Sequence, residues 1–133
     1  MNRFTLTKAE RICTKKQFEV LLNSKHTYVS YPLRAIFNYH EEREDNKYNA
    51  CIAVSVGKNR FKRAVKRNRV KRLVRESYRL HKPEFYKNIK GCHADILFVF
   101  IGKDIPDYAV IDHSMDILID KICDKITRNE HSE

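Results

Sequence analysis

The chain has 133 residues, of which 42% are hydrophobic and 33% charged, and its formal net charge is +10. This length suits one compact domain, and glycine and proline together fill only six positions, which argues against long disordered tracts. A surface this basic favours a polyanionic partner, with nucleic acid ahead of an anionic membrane or an acidic protein. We therefore expect one domain over residues 1–133, with a frayed tail from about residue 127.

The cysteine spacing and the hydropathy predict a cytoplasmic protein. No stretch is apolar enough for a signal peptide or a membrane span. The four cysteines lie far apart, without a CxxC pair or histidines at zinc-ligand spacing. We expect reduced, mostly buried thiols and no cofactor or metal bound by the protein itself. The cysteines are Cys13, Cys51, Cys92 and Cys123.

The first elements are a short helix and three strands. Residues 14–24 place three apolar side chains at helical spacing after a threonine cap: Phe18, Leu21 and Leu22. Residues 31–39 and 48–56 are rich in aromatic and β-branched side chains and predict antiparallel strands, with a shorter strand at 27–30. The charged residues 41–46 predict an exposed hairpin loop to which we assign no chemistry.

The basic segment after Gly57 predicts a loop over 58–63 and a helix that begins near Val65. Its apolar or small positions recur at i, i+3, i+4 and i+7, as required to dock on a sheet: Val70, Leu73, Val74 and Ser77. We expect the helix to end near Leu80, because the residue before Pro83 disfavours helical geometry.

The last elements are a strand and a helix. An almost continuous apolar run at 93–101 predicts a central strand covered on both faces. Asp107 is placed to cap a final helix with an apolar face of Ile111, Met115, Leu118 and Ile122. The acids of that helix recur every four residues, and we interpret them as its solvated face: Asp112, Asp116, Asp120 and Asp124. The predicted fold is an α+β sandwich, with a mixed sheet of about four strands and three helices.

All of the excess charge lies in one segment. From Lys58 to Arg79 there are eleven lysines or arginines and one acid, whereas the rest of the chain is neutral overall. On a helical wheel Asn68, Arg72, Arg75 and Arg79 form a row opposite the apolar stripe, about 16 Å long. Guanidinium groups bind phosphates bidentately, so the row matches a nucleic-acid backbone. Asn68 has an alternative role as the helix cap.

Backbone contacts of this kind provide affinity and register but not sequence readout. An A-form RNA helix would be recognised by its shape. A helix-turn-helix DNA reader needs a short helix immediately before its recognition helix, and a strand is predicted there instead. Phe61, within the basic loop, can stack on a base or anchor the loop to the core, and we favour the anchor.

The segment KNRFKRAVKRNRVKRLVRESYR resembles the signature of the bacterial ribonuclease P protein family, Ala-Val-x-Arg-Asn-x-x-Lys-Arg-x-x-Arg-Glu. Eight positions match at fixed spacing: Ala64, Val65, Arg67, Asn68, Lys71, Arg72, Arg75 and Glu76. The order of the remaining elements also follows the family. The resemblance implies an α-β sandwich like the second domain of a small-subunit ribosomal protein, with a left-handed β-α-β crossover that the general rule would not predict.

The resemblance also implies function and sites. In the family, the basic helix and its preceding loop bind a catalytic RNA that removes the 5′ leader from precursor tRNA, and magnesium is bound with that RNA. By residue match the RNA-binding role falls to Lys58, Arg67, Asn68, Arg69, Lys71, Arg72 and Arg75, and the same basic segment adds Arg63 and Arg79. A cleft between the first helix and the sheet holds the leader, partly by aromatic stacking. Its candidates are Phe18, Leu22, Phe37 and Tyr39.

Two other functions remain open at this point. A ribosomal or RNA-chaperone protein would explain the charge but not the spaced signature. A protein nuclease would need its own catalytic groups, and no carboxylate pair or grouping of His, Cys and Asp stands out along the chain. We therefore assign no catalytic residue to the protein.

Overall fold

The computed structural model describes residues 15–41, 50–89 and 92–131, without the side chains of Lys15, Gln17, Glu41 and residues 128–131. Seven elements follow one another in the order predicted: α1 (Lys15–Leu22), β1 (His26–Ser30), β2 (Leu33–Glu41), β3 (Ala50–Val56), α2 (Ala64–Asn88), β4 (Cys92–Phe100) and α3 (Tyr108–His131). The predicted cap of α1 and, apart from Glu41, the residues of the loop at 41–46 lie outside the described residues. The prediction that this loop closes a hairpin is wrong, because β4 lies between β2 and β3 in the sheet.

The four strands form one mixed sheet in the order β1-β2-β4-β3. Strand β2 runs antiparallel to both of its neighbours, whereas β3 is parallel to β4. The internal position predicted for the apolar strand, β4, is confirmed. Helix α2 makes the connection between the two parallel strands, and the left-handed sense of that crossover stays a prediction.

The two faces of the sheet are buried to different extents. Strand pairing places Phe37 opposite Ile96 and Ala35 opposite Phe98, and all four side chains are buried in the main core. Because side chains alternate between faces, Leu97 points to the other side. It is buried there together with Leu21 of α1, and neither residue belongs to the main core.

The predicted coverage of β4 on both faces is therefore only partial on the second face of the described sheet. Helices α2 and α3 cover the first face, and α1 is the described helix that contacts β2 and β4 on the second. A helix of eight residues is too short to cover four strands. On β4 the flanking His93, Asp95 and Val99 are only half-buried.

Helix α2 begins at Ala64, as predicted, but the predicted end near Leu80 is wrong. The helix continues to Asn88 and contains Pro83. Its apolar stripe extends past the proline, since Phe85 and the following Ile89 are each 1% exposed. Pro83 itself faces solvent. Burial of two large side chains offsets the missing backbone hydrogen bond, and tertiary packing overrides the local preference.

Replacing Pro83 by alanine should stabilise the protein. Alanine restores a backbone donor inside the helix, and the gain is reduced because proline also restricts the unfolded chain. We expect the free energy of unfolding to rise by about 1–2 kcal/mol. Urea denaturation of the two proteins measures this difference. A lower free energy of unfolding for Pro83→Ala would contradict a continuous helix through this position.

Helix α3 buries the face that its spacing predicts, with Ile111, Met115, Leu118 and Ile122 fully enclosed. The prediction that its acidic side chains form a solvated face holds for only some of them. Asp112 accepts a hydrogen bond of 2.8 Å from Ser77 of α2, and it and Asp116 lie within 3.7 Å of the His81 ring. These contacts join the two long helices.

The described cysteines are reduced and buried, as predicted, and burial raises the pKa of the Cys123 thiol to about 11. Cys13 lies outside the described residues. None of the helices in the described parts of the chain combines the length and apolar character of a membrane span.

Candidate RNA-binding site

Helix α2 separates an apolar face from a cationic face. Val70, Val74 and Tyr78 are fully buried against the sheet and α3. The predicted row on the opposite side is accordingly accessible: Asn68, Arg72 and Arg75 are exposed. Docking of the apolar stripe thus leaves a line of guanidinium groups in solvent, where phosphates can reach them.

The basic loop before α2 is fixed to the rest of the protein at two points. Phe61 is buried and stacks on Phe100, with 5.9 Å between ring centroids, which confirms its predicted role as an anchor. Arg67 donates two hydrogen bonds of 2.8 Å to the backbone carbonyls of Phe61 and Lys62. Arg67 therefore holds the loop in shape as well as adding charge.

Asn68 does not cap the helix. The N-cap residue is Arg63, which has extended backbone geometry and makes no side-chain hydrogen bond to the helix start. Asn68 lies in the second turn and is exposed. The first amide groups of α2 thus add partial positive charge next to the arginines, an arrangement that favours anions.

Arg79 differs from the other arginines of the row. Its guanidinium group pairs with Glu76, through a hydrogen bond of 3.1 Å from Nε and a second, shorter one. This interaction lowers the pKa of the Glu76 carboxyl, which stays ionised at neutral pH. Because its charge is partly neutralised, Arg79 attracts a phosphate less strongly than Arg72 or Arg75.

The other candidates differ in exposure. Lys58, Arg63 and Arg69 are exposed, whereas Arg67 and Lys71 are half-buried.

The second candidate surface lies between α1 and the less covered face of the sheet. Leu21 holds α1 on the sheet, and on the same side of the helix Phe18 is half-buried. Leu22, one turn after Phe18, is 57% exposed. An aromatic and an aliphatic side chain are therefore accessible beside the sheet, as the prediction of a leader cleft requires.

Phe37 and Tyr39 do not belong to this cleft. Both occupy the alternate positions of β2 whose side chains face α2 and α3, and Phe37 is 0% exposed. Phe37 packs among His26, Tyr28 and Tyr39, with ring centroids 5.4 to 6.1 Å apart. The prediction that these two aromatics form the cleft floor is wrong, because the core occupies their face. The intervening positions of β2, Ile36 and Asn38, are the ones that point towards the α1 side.

A cluster of three chemically active side chains lies on this same face, contrary to the expectation from the sequence. Cys51 of β3 pairs in register with Asp95 of β4, and His93 stands two residues earlier on β4. Their potential ligand atoms all lie within 4.8 Å of one another. Cys51 is more than 40 residues from the other two in the chain, so only the parallel pairing of the two strands brings the three together.

Hydrogen bonding sets the charge of this cluster. His93 Nε2 lies 3.1 Å from Asp95 Oδ1. That hydrogen bond, with a further one involving Cys51, raises the pKa of His93 to about 10. His93 Nδ1 is buried and has no hydrogen-bond partner among the described residues. The imidazole ring of His40 also lies near this cluster, with its centroid 5.3 Å from that of the His93 ring.

Comparison with known proteins identifies the family. The model of the Ribonuclease P family matches residues 6–122, which is most of the chain. The chain belongs to the ribonuclease P protein family. Members of the family are protein components of ribonuclease P, the endoribonuclease that produces mature tRNA 5′ ends. This chain is therefore a subunit of that ribonucleoprotein, and its partner is an RNA subunit.

Similar proteins support the ribonuclease P assignment over nearly the whole length. A ribonuclease P protein component from Porphyromonas gingivalis is 37% identical over 114 residues, covering 84% of this chain and 82% of the relative. One from Dictyoglomus thermophilum is 30% identical over 125 residues, covering 94% of each chain.

Solved structures of the ribonuclease P family share the fold. The Staphylococcus aureus RNase P protein superimposes with a TM-score of 0.67 at 20% identity, covering 86% of this chain and 96% of that one. The Thermotoga maritima RNase P protein superimposes with a TM-score of 0.63 at 19% identity, covering 84% of this chain and 96% of that one. At such identities the likeness concerns the fold, and the α+β architecture predicted from the sequence is confirmed.

Proposed function

We propose that this subunit binds the catalytic RNA of ribonuclease P through the exposed face of α2 and its preceding loop, and holds the 5′ leader of precursor tRNA beside α1. The observation that supports this most strongly is the exposure of the arginine row opposite a fully buried stripe. The candidate RNA contacts are Lys58, Arg63, Arg67, Asn68, Arg69, Lys71, Arg72, Arg75 and Arg79.

The α2 surface is suited to a folded RNA with closely spaced phosphates. Arg72 and Arg75 are exposed on adjacent turns of a regular helix, so the backbone needs no ordering when they bind, and each planar guanidinium group loses less entropy per hydrogen bond than a lysine would. The loop held by Phe61 and Arg67 presents Lys58 and Arg63 in a fixed arrangement. Recognition follows from the shape and charge of the RNA, since none of these contacts reads a base sequence.

The leader is proposed to lie along α1 and the less covered face of the sheet. Phe18 provides a ring for stacking on a base, and Leu22 provides an apolar contact. Both interactions tolerate any sequence, as a variable leader requires. Ile36 and Asn38 replace Phe37 and Tyr39 as the candidates for the floor.

Catalysis is proposed to belong to the RNA and its bound magnesium ions, in the cytoplasm. The protein contributes by screening repulsion between phosphates, which lowers the magnesium concentration that the RNA needs. Its hold on the leader favours precursor tRNA over mature tRNA, because only the precursor has that strand.

Cleavage of a 5′-labelled precursor tRNA at low magnesium tests the proposal. The protein, a bacterial ribonuclease P RNA, and the two together are assayed separately. We expect cleavage at the mature 5′ end only with both, and a strong reduction by Arg67→Ala combined with Arg72→Ala. A folded protein that gives no stimulation would favour a ribosomal or RNA-chaperone function instead.

Substitution of Phe18 by alanine should weaken the binding of precursor tRNA by the assembled ribonucleoprotein about 10-fold, because one stacked base loses its partner. Affinity for mature tRNA should not change, since it has no leader. Binding titrations with both RNAs give the ratio of the affinity for precursor tRNA to that for mature tRNA. Val20→Ala is the matched control, because Val20 is 55% exposed and points away from Phe18 on the same helix. Equal losses for precursor and mature tRNA would argue against a leader contact.

A further inference from the structure

We propose that Cys51, His93 and Asp95 form a binding site for a divalent transition-metal ion, with Zn²⁺ as the expected occupant. The three side chains project from two adjacent parallel strands on the face opposite the main core. The site lies on the same face of the sheet as the proposed leader cleft, where Asp95 is paired with Asn38, but none of its three residues belongs to the proposed RNA-binding set.

The donor set has the chemistry that zinc prefers. A thiol, an imidazole and a carboxylate supply S, N and O ligands, and a soft sulfur ligand selects zinc over magnesium or calcium. Each residue comes from a regular strand, so the backbone holds the three groups in a defined arrangement.

The three ligand atoms lie close enough to share one ion. Ligand atoms around a tetrahedral zinc ion are separated by roughly 3.3–3.8 Å when the bonds to the metal are about 2.0–2.3 Å. Here His93 Nε2 and Asp95 Oδ1 are 3.1 Å apart, and no two of the three ligand atoms are more than 4.8 Å apart. Closure around an ion therefore needs the farthest pair of ligand atoms to approach by at most about 1.5 Å. The ring of His40 lies beside His93, with 5.3 Å between the ring centroids.

The surroundings also favour a cation. The Asp95 carboxylate faces His93 at 3.1 Å and offers a negative charge to an ion placed among the three groups. His93 is half-buried, so an ion at this position would be partly shielded from solvent.

The position of the site predicts a local effect. Cys51 lies near the start of β3, whereas the basic loop follows the end of that strand, roughly 20 Å further along the chain. A metal ion would link the edge strand β3 to β4. It should not alter the arginines of α2.

The test is a titration of the purified full-length protein with Co²⁺ and then Zn²⁺, in the presence of excess Mg²⁺. We expect one cobalt per chain with a thiolate-to-cobalt charge-transfer absorption, displacement by zinc, and weakening of zinc affinity by on the order of 100-fold or more in Cys51→Ser. Cys123→Ser is the matched control, because Cys123 is a buried thiol on α3. It should bind as the unmodified protein does.

Asp95→Asn gives a second variant of nearly the same shape, in case Cys51→Ser fails to fold, and it should weaken zinc binding at least 10-fold. Circular dichroism verifies the fold of each variant. Absence of stoichiometric zinc binding, a cobalt spectrum without the thiolate band, or equal binding by the unmodified protein and both site variants would overturn the proposal. Because RNA-dependent cleavage is measured separately, none of these results would bear on the proposed function.

Discussion

Replacing Arg72 and Arg75 together by alanine should weaken binding of the catalytic RNA by on the order of 100-fold at moderate salt, because each change removes a charge-assisted contact worth about 1.5 kcal/mol. Both side chains are exposed on the cationic face of α2, and no hydrogen bond links either to another part of the described chain. The slope of log affinity against log salt should fall by about two, since two phosphate contacts are lost. Filter binding across a range of salt concentrations measures both quantities.

This pair gives a clearer result than a variant that includes Arg67. Arg67 also fastens the basic loop, so its removal combines lost charge with a disordered loop. The matched control is Lys87→Ala with Lys125→Ala, which removes the same charge. Lys87 is exposed in the last turn of α2, roughly 20 Å from Arg72. If the control pair weakened binding as much as the arginine pair, affinity would depend on net charge and not on this face of the helix.

Replacing Phe85 by alanine should lower the free energy of unfolding by about 3–5 kcal/mol, which is the usual result of removing a fully buried aromatic ring. Phe85 is 1% exposed, lies after Pro83 in α2, and packs against the rings of Tyr78 and Tyr86. Urea denaturation followed by circular dichroism gives the change. A loss of this size can leave too little stability for a domain of this length to remain folded at elevated temperature.

Leu80→Ala is the control for the Phe85 variant. Leu80 is on the same helix and 49% exposed, so its truncation should change the free energy of unfolding by much less. If α2 ended near Leu80, Phe85 would lie in a connecting segment and the two variants would differ little. A loss below about 1 kcal/mol for Phe85→Ala would therefore argue against the extended helix.

Periodicity predicted the elements well where a buried stripe was continuous. The spacing from Val70 to Ser77 placed α2, and the helix begins within one residue of the prediction. The error at its C-terminal end has a definite cause. The preference of the residue before proline is local and modest, whereas burial of Phe85 and Ile89 adds several kcal/mol that a local rule does not include.

The sequence did not determine the registers of the strands. The alternation of β2 showed that Phe37 and Tyr39 share a face, but not which face the helices would cover. Pairing with β4 decides this, because Phe37 lies opposite Ile96 in the main core. The cleft floor therefore shifts by one position along the strand, to Ile36 and Asn38.

The sequence by itself determined the chemistry of the cationic surface. Charge concentrated in 58–79, with arginines opposite an apolar stripe, requires an exposed basic helix wherever that stripe is buried. Tertiary structure decided which distant groups meet. The loop bonds of Arg67, the faces of the sheet and the cluster of Cys51, His93 and Asp95 all arise from contacts between segments far apart in the chain, and local spacing contains no information about such pairings.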